Sequence, residues 1–260
     1  MITFEQVSRR YGERLALDSV SWHMDEGECV VFLGSSGAGK TSLLRLITHE
    51  ISPTSGAVTV GTFRGGRLRR RQRAVLRRTL GIVYEDFRLL GDRTVFENVA
   101  LAVRIAGQFR DTEVIPRVLH ALQEVGLQSK QTAFPHELSF GERQRAAIAR
   151  AIVNRPAVIL ADEPTGALEP KSSQEILALL RRIHGEGAAL IVTTTREEVA
   201  AALPGRTILI EDGKLSGATT PTGGPRASGA TAAAPAAVAP ATAATAAPPA
   251  APVPPPAPGH

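Results

Sequence analysis

Short apolar, β-branched runs alternate along this chain with longer stretches in which apolar residues recur every three to four positions. "CVVFLG" at 29–34 precedes "TSLLRLITHE" at 41–50, "AVILAD" at 157–162 precedes "KSSQEILALLRRIHGE" at 171–186, and "AALIVT" at 188–193 precedes "REEVAAAL" at 196–203. "TILIEDGKL" at 207–215 ends the series. Continuous apolar runs between amphipathic helices predict parallel strands covered on both faces, so the fold class is α/β. Residues 87–153 interrupt the alternation with three helical patterns, "TVFENVALAVRIAG", "DTEVIPRVLHALQEVG" and "GERQRAAIARAIV", which predict a helical subdomain.

From residue 216 the pattern stops. The remainder is nearly all Ala, Pro, Thr and Gly, with Arg226 its only Lys, Arg, Asp or Glu. Proline breaks long helices and alanine offers little apolar area to offset chain entropy, so 216–260 is expected to be a disordered tail of polyproline character behind a domain at 1–215.

The chain has 260 residues, enough for one substantial core, and a formal net charge of +5. That charge is unevenly placed: "RGGRLRRRQRAVLRR" at 64–78 holds eight arginines and no acid, and without them the +5 becomes −3. Such a block suits phosphates or an anionic membrane surface, but arginines on an amphipathic helix are most simply a solvated face, and no nucleic-acid partner is expected. The single cysteine, Cys29, lies in an apolar run, which excludes an intrachain disulfide and suits a reducing compartment. The first residues lack a signal-peptide pattern, and no apolar run reaches the roughly 18 residues of a membrane span. A membrane role therefore requires a partner.

Three motifs carry chemistry. "GSSGAGKT" at 34–41 sits between a predicted strand and helix and matches G-x-x-x-x-G-K-[ST]. Gly34, Gly37 and Gly39 let the loop, with Ser35, Ser36 and Ala38, wind around phosphates. Backbone N–H groups at the helix start, through Ser42, bind the anion, Lys40 reaches the terminal phosphates, and the Thr41 hydroxyl ligates Mg²⁺. "AVILADEPTGALEP" at 157–170 ends its strand in Asp162 and Glu163, whose side chains point to opposite faces. Asp162 can hold Mg²⁺ and Glu163 can act as general base on water. "ELSFGERQRAAIARAIVNRP" at 137–156 pairs Ser139 with Glu142 in a capping box; with Gly141 it also offers a second helix-start anion site.

A phosphate loop, a helical insert ending in Leu-Ser-x-Gly-Glu, and a strand ending Asp-Glu resemble the nucleotide-binding subunit of ABC transporters over residues 1–215. "DFRLLGDRTVFENVA" and "ADEPTGALEP" are most similar to the bacterial cell-division (FtsE) branch, related to lipoprotein-release and macrolide-export ATPases. The resemblance implies an α/β P-loop NTPase core with a mainly parallel sheet, N-terminal antiparallel strands, a helical subdomain and the disordered tail. It implies an ATPase using ATP and Mg²⁺, working as a head-to-tail homodimer in which Ser139 and Gly141 of one copy face the γ-phosphate held by the other. Tyr11 takes the place where the family stacks an aromatic ring on adenine. The implied partner is an integral membrane permease of FtsX type, docked near residues 85–96 at the cytoplasmic face of the membrane, in cell division and cell-wall remodelling.

Four positions depart from the family's pattern. Glu85 stands where the family has glutamine and brings a charge toward γ-phosphate and Mg²⁺. Phe140 replaces a glycine in the signature, and Glu169 replaces an aspartate used for communication across the dimer. In "AALIVTTTREEV" at 188–199, Thr195 falls on the switch histidine. Threonine offers no imidazole at that reach, which implies a loss on the order of 10² to 10³ in rate, or an ATP-gated scaffold with little hydrolysis. Read locally, the same threonines end a strand and suit the cap of the helix beginning near Arg196.

Overall fold

A computed structural model describes residues 1–65, 68–107 and 109–219. Arg67 of the arginine block and the tail from residue 220 lie outside the described residues.

Two sheets share the chain. Strands β1 (Ile2–Tyr11), β2 (Arg14–Met24), β4 (Ser55–Val60) and β5 (Phe63–Gly65) form an antiparallel sheet in the order β2-β1-β4-β5. One face is apolar: Ile2, Phe4 and Val7 of β1 are buried while Glu5 and Gln6 are exposed, the alternation expected of a half-covered sheet. Trp22 links the two sheets, its ring 5.3 Å from Phe4 and 5.0 Å from Phe32.

The second sheet runs β10-β9-β3-β8-β7-β6, from β3 (Cys29–Leu33), β6 (Leu80–Val83), β7 (Val158–Asp162), β8 (Ala189–Thr194), β9 (Arg206–Glu211) and β10 (Lys214–Thr219). Only β10 is antiparallel to its neighbour. Every residue of β7 and β8 is buried, because helices cover both faces of a parallel sheet. Burial also pushes the Cys29 thiol up to about 12, so it is a core group without thiolate character. The last strand runs to Thr219, past the boundary expected at 215.

Helix α1 (Lys40–Ile47) follows β3, α6 (Pro170–Gly185) follows the strand ending in Asp162, and α7 (Glu197–Ala202) follows β8. The arginine block forms α2 (Arg70–Thr79), held down by the buried Leu76 alone. The insert folds as α3 (Val95–Ala106), α4 (Asp111–Glu124) and α5 (Phe140–Ile152), packed into one apolar cluster with β7 and β8. Helix α3 illustrates why: Val95, Val99 and Val103 turn inward at four-residue spacing, and Thr94 caps its start with Glu97. Among the described residues no helix is long and apolar enough to cross a membrane.

Candidate functional site

Parallel pairing brings the ends of β3, β8 and β7 level, with Leu33 opposite Thr194 and Asp162 opposite Thr193. The loops leaving these strands therefore meet at one edge of the sheet, where ligands of open α/β sheets bind. The phosphate loop is pinned there by Gly34, whose N–H donates to the Thr194 carbonyl at 3.1 Å. A side chain on Gly34 would place Cβ 2.2 Å from the Ile210 carbonyl oxygen. Gly39 turns the loop into α1 with φ +114°, and its Cβ would lie 2.4 Å from the Ala16 carbonyl oxygen. No side chain caps α1 and no acid stands in its first turn. Its N–H groups are thus left for an anion from outside the chain.

Lys40 is almost wholly buried. Its Nζ donates to the carbonyls of Gly34 and Ser35 at 2.8 and 3.0 Å and pairs with Glu163 Oε1 at 3.3 Å. The other Glu163 oxygen accepts the Thr195 N–H at 3.2 Å, and the Glu163 N–H donates to the Thr193 carbonyl at 3.0 Å. Glu163 has φ +44°, a left-handed conformation that non-glycine residues adopt rarely and that clusters at functional sites.

A cleft of about 700 Å³ opens above this pair. Tyr11, Ser36, Gly37, Gly39, Lys40, Thr41, Ser42, Glu85, Glu163 and Thr195 line it, whereas Gly34, Ser35 and Ala38 do not. Ala38 is buried, and its carbonyl accepts the Gly213 N–H at 3.1 Å. The Arg9 guanidinium covers one face of the Tyr11 ring at 4.4 Å, so a single face is left for an aromatic ligand.

A second cavity of about 340 Å³ is lined by Thr41, Glu85 and Asp162. Asp162 is buried and accepts the Thr193 hydroxyl at 2.5 Å. Burial first, then the charges of Asp162, Glu163 and Asp86, hold the Glu85 carboxyl above its ordinary value, with Lys40 opposing them. Asp162, the last residue of its strand, and Glu163, just past it at φ +44°, thus line different cavities. No cluster of three or more His, Cys, Asp or Glu occurs among the described residues. Two carboxylates and one hydroxyl are nonetheless a hard-oxygen set that fits Mg²⁺ where substrate phosphates and water complete the shell.

Ser139, Gly141 and Glu142 do not line the cleft. They form the start of α5, where the Ser139 N–H donates to Glu142 Oε2 at 2.8 Å and the Glu142 N–H donates to Ser139 Oγ at 3.3 Å. Phe140 stands 52% exposed at this start, 6.1 Å from the Phe87 ring. Glu169 is exposed at the start of α6 and makes no cap bond.

The three threonines have three separate tasks, and one expectation about them is corrected. Thr193 holds Asp162, Thr194 Oγ1 accepts the Arg196 N–H at 3.1 Å, and Thr195 holds Glu163 through its backbone. No side chain caps α7, which begins at Glu197 behind Arg196. The strand end instead turns the Thr193 hydroxyl toward Asp162 and the Thr195 N–H toward Glu163. Reading along the chain also missed Arg14, which lines the cleft and donates to the Gly37 carbonyl at 2.8 Å. Nothing in its neighbourhood in sequence signals that contact, which depends on β2 passing the loop.

Residues 17–166 match the family model described as ABC transporter. The chain is 42% identical over 219 residues to the cell division ATP-binding protein FtsE of Mycobacterium tuberculosis, covering 83% of this chain and 94% of that protein. It is 43% identical over 218 residues to the FtsE of Escherichia coli, covering 84% and 98%. Among solved structures it is similar to a dimeric, post-hydrolysis state of an ATP-binding cassette bound to ADP and Pi, with a TM-score of 0.78, 32% identity, and coverage of 86% of this chain and all of that one. The phosphate loop, the paired acids and this span of likeness agree: the chain belongs to the ABC transporter family, as one of its ATP-binding cassettes.

Proposed function

We propose that this chain is the ATP-hydrolysing subunit of a bacterial cell-division complex, a homodimer acting with an FtsX-type permease at the cytoplasmic face of the membrane. Residues 1–219, through the last strand of the sheet, form its ATPase domain, and the Ala/Pro-rich tail follows. The FtsE names of its relatives and a dimeric cassette among similar structures support the assembly. One observation carries the chemistry: a buried lysine, Lys40, and a partly buried carboxylate, Glu163, paired at 3.3 Å on the floor of the phosphate-loop cleft.

In that pair each charge occupies the other. When ATP phosphates reach the N–H groups of α1, they offer Lys40 a more highly charged partner, and its Nζ leaves Glu163 for the phosphate. The freed Glu163 oxygen then accepts a proton from water attacking the γ-phosphorus as the bond to the β,γ-bridging oxygen breaks and ADP leaves, while the Thr195 N–H keeps the carboxylate oriented. Thr41, Asp162 and Glu85 would hold Mg²⁺, which when bound neutralises phosphate charge. Tyr11 stacks on the adenine with its free face. Ser139 and the Gly141 backbone of a second copy complete the site.

Thr195 favours a second reading, an ATP-gated scaffold that barely hydrolyses, because the Thr195 side chain cannot reach as an imidazole does. Phosphate release by the full chain with its permease separates the two. Glu163→Gln should lower release by about 10²- to 10⁴-fold while ATP binding persists, and Thr195→His should raise it. Release by wild type no faster than by Glu163→Gln, with ATP bound, would overturn the hydrolase reading.

A further inference from the structure

No residue of helix α2 lines either cavity beside the phosphate loop, so its arginines have no task in the proposed chemistry. Leu76 is buried and fixes which way the helix faces. At about 100° per residue, the side opposite Leu76 carries two ridges at i, i+4 and i+7 spacing, Arg70-Ala74-Arg77 and Arg71-Val75-Arg78. All six residues are exposed, Val75 by 48%. An apolar pair, Ala74 and Val75, is thus set among four guanidinium groups.

A face built only for solvation mixes charge signs, as α4 does with Asp111, Glu113, Arg117 and Glu124. Helix α2 carries no acid in its sequence "RRQRAVLRRT", so none stands in its first turn to meet the helix dipole. Arg73 also repels Arg70 and Arg77 at i,i+3 and i,i+4. Acids of the flanking elements are engaged by other arginines: Glu50 by Arg45, Glu5 by Arg64 and Asp86 by Arg88. Among the described residues none of the four outward arginines meets a carboxylate, and Arg77 donates only to the Thr48 carbonyl, at 3.2 Å. The excess is felt beneath the helix too. Burial, then the charges of Arg73 and Arg77, hold the His49 imidazole below its ordinary value.

Such a face fits a surface of spaced anions with an apolar layer just below them. Anionic phospholipid offers both, headgroup phosphates for the guanidinium groups and the boundary of the acyl layer for Val75. A nucleic acid brings phosphates without an apolar layer, and α2 offers its bases no aromatic ring. We propose that the outward face of α2 binds an anionic lipid surface directly, with Arg70, Arg71, Arg77 and Arg78 on headgroup phosphates and Val75 between them. This goes beyond the proposed function and does not depend on it, because the contact is with lipid and not with a protein partner.

Vesicles free of any other protein test it. Sedimentation measures how the full chain partitions onto phosphatidylcholine vesicles, plain or with phosphatidylglycerol added. Wild type should bind only the anionic vesicles, and less so as salt rises. Arg71→Gln/Arg78→Gln should weaken that partition about 25-fold, about fivefold for each arginine, while ATP binding stays as in wild type. Arg110→Gln/Arg181→Gln removes the same charge from exposed positions beside α4 and on α6, and should change the partition by under about twofold. Val75→Trp places a reporter on the face: its emission should shift to the blue on anionic vesicles, against the background of the buried Trp22. Equal weakening by the two double variants would reduce the effect to net charge and overturn the proposal. So would an unshifted Val75→Trp on bound vesicles, or binding of single-stranded RNA that needs Arg71 and Arg78 when vesicles do not bind. Each of these failures leaves the proposed function standing, since no arm measures hydrolysis or contains permease. Absent phosphate release with vesicle binding intact fails that function and leaves the lipid face.

Discussion

Two helix starts in this molecule are candidates for binding the same kind of anion and are built in opposite ways. Helix α1 begins after Gly39 with no cap, no first-turn acid and a buried lysine; α5 begins at Ser139 with a closed capping box and Glu142 in its first turn. The first leaves donors and positive charge open to an anion. The second satisfies its own donors and carries its own anion, so within one chain it is already neutralised. The Ser139 hydroxyl accepts the Glu142 N–H and keeps its own proton to donate to a phosphate, whereas the Ser139 N–H is already taken by Glu142 Oε2. The difference separates a helix start open to an anion within one chain from one that, in the function proposed above, meets a phosphate held by a second copy.

The largest effect should come from emptying the first start. Lys40→Ala removes the only buried cation of the cleft and should weaken ATP binding by about 10²-fold in calorimetric titration, whereas Ser139→Ala should leave binding by the monomer unchanged. The two glycines sharpen the contrast next. Gly39→Ala combines a left-handed φ with a backbone clash and should destabilise the fold by about 2–3 kcal/mol in urea unfolding. Gly141→Ala meets side-chain atoms of Ser172 and Arg145, the nearest being Ser172 Oγ at 3.2 Å, and gains helix propensity, so its net change should be under about 1 kcal/mol.

Ser139→Ala should cost about 1 kcal/mol of stability and weaken ATP-dependent dimerisation, measured by light scattering. Dimers unaffected by this change would place the second anion site elsewhere.

The smallest effects are in pH. Bonds to Ser139 hold the Glu142 carboxyl below its ordinary value, so its contribution is present above the unfolded pKa and is lost as pH falls through the folded one. Glu142→Gln should therefore be less stable than wild type at neutral pH and converge with it in acid. Glu85 has the opposite sign. Its folded pKa is raised, so its contribution is present below the unfolded pKa and is lost as pH rises through the folded one. Without nucleotide or metal, Glu85→Gln should gain stability over wild type as pH rises, and thermal melts from about pH 2 to about pH 8, across the carboxylate range, read both slopes.

Thr94 with Glu97 and Ser139 with Glu142 are the same motif, and both close in the same geometry. Nothing local distinguishes the ordinary cap from the candidate anion site; only the order of motifs along the chain did, through family resemblance. The phosphate loop was legible because its parts are adjacent, so one short segment encodes the turn, the helix start and the lysine. The helical insert was legible for a similar reason, since its apolar periodicity is local. Thr193 and Arg14 were not, because each acts on a residue that only strand pairing or packing brings near.

By itself, then, the sequence determined the alternating strands and helices, the phosphate loop, the paired acids at a strand end, and an arginine block unmatched by acid. Tertiary structure decided their partners: that Lys40 faces Glu163, that Thr193 holds Asp162, that Thr195 acts through its N–H, and that four of the arginines stand outward around Ala74 and Val75. The physical reason is range. Backbone preference and periodicity are fixed by neighbours along the chain, whereas these contacts follow from the register of β3, β8 and β7 and the helices packed across them.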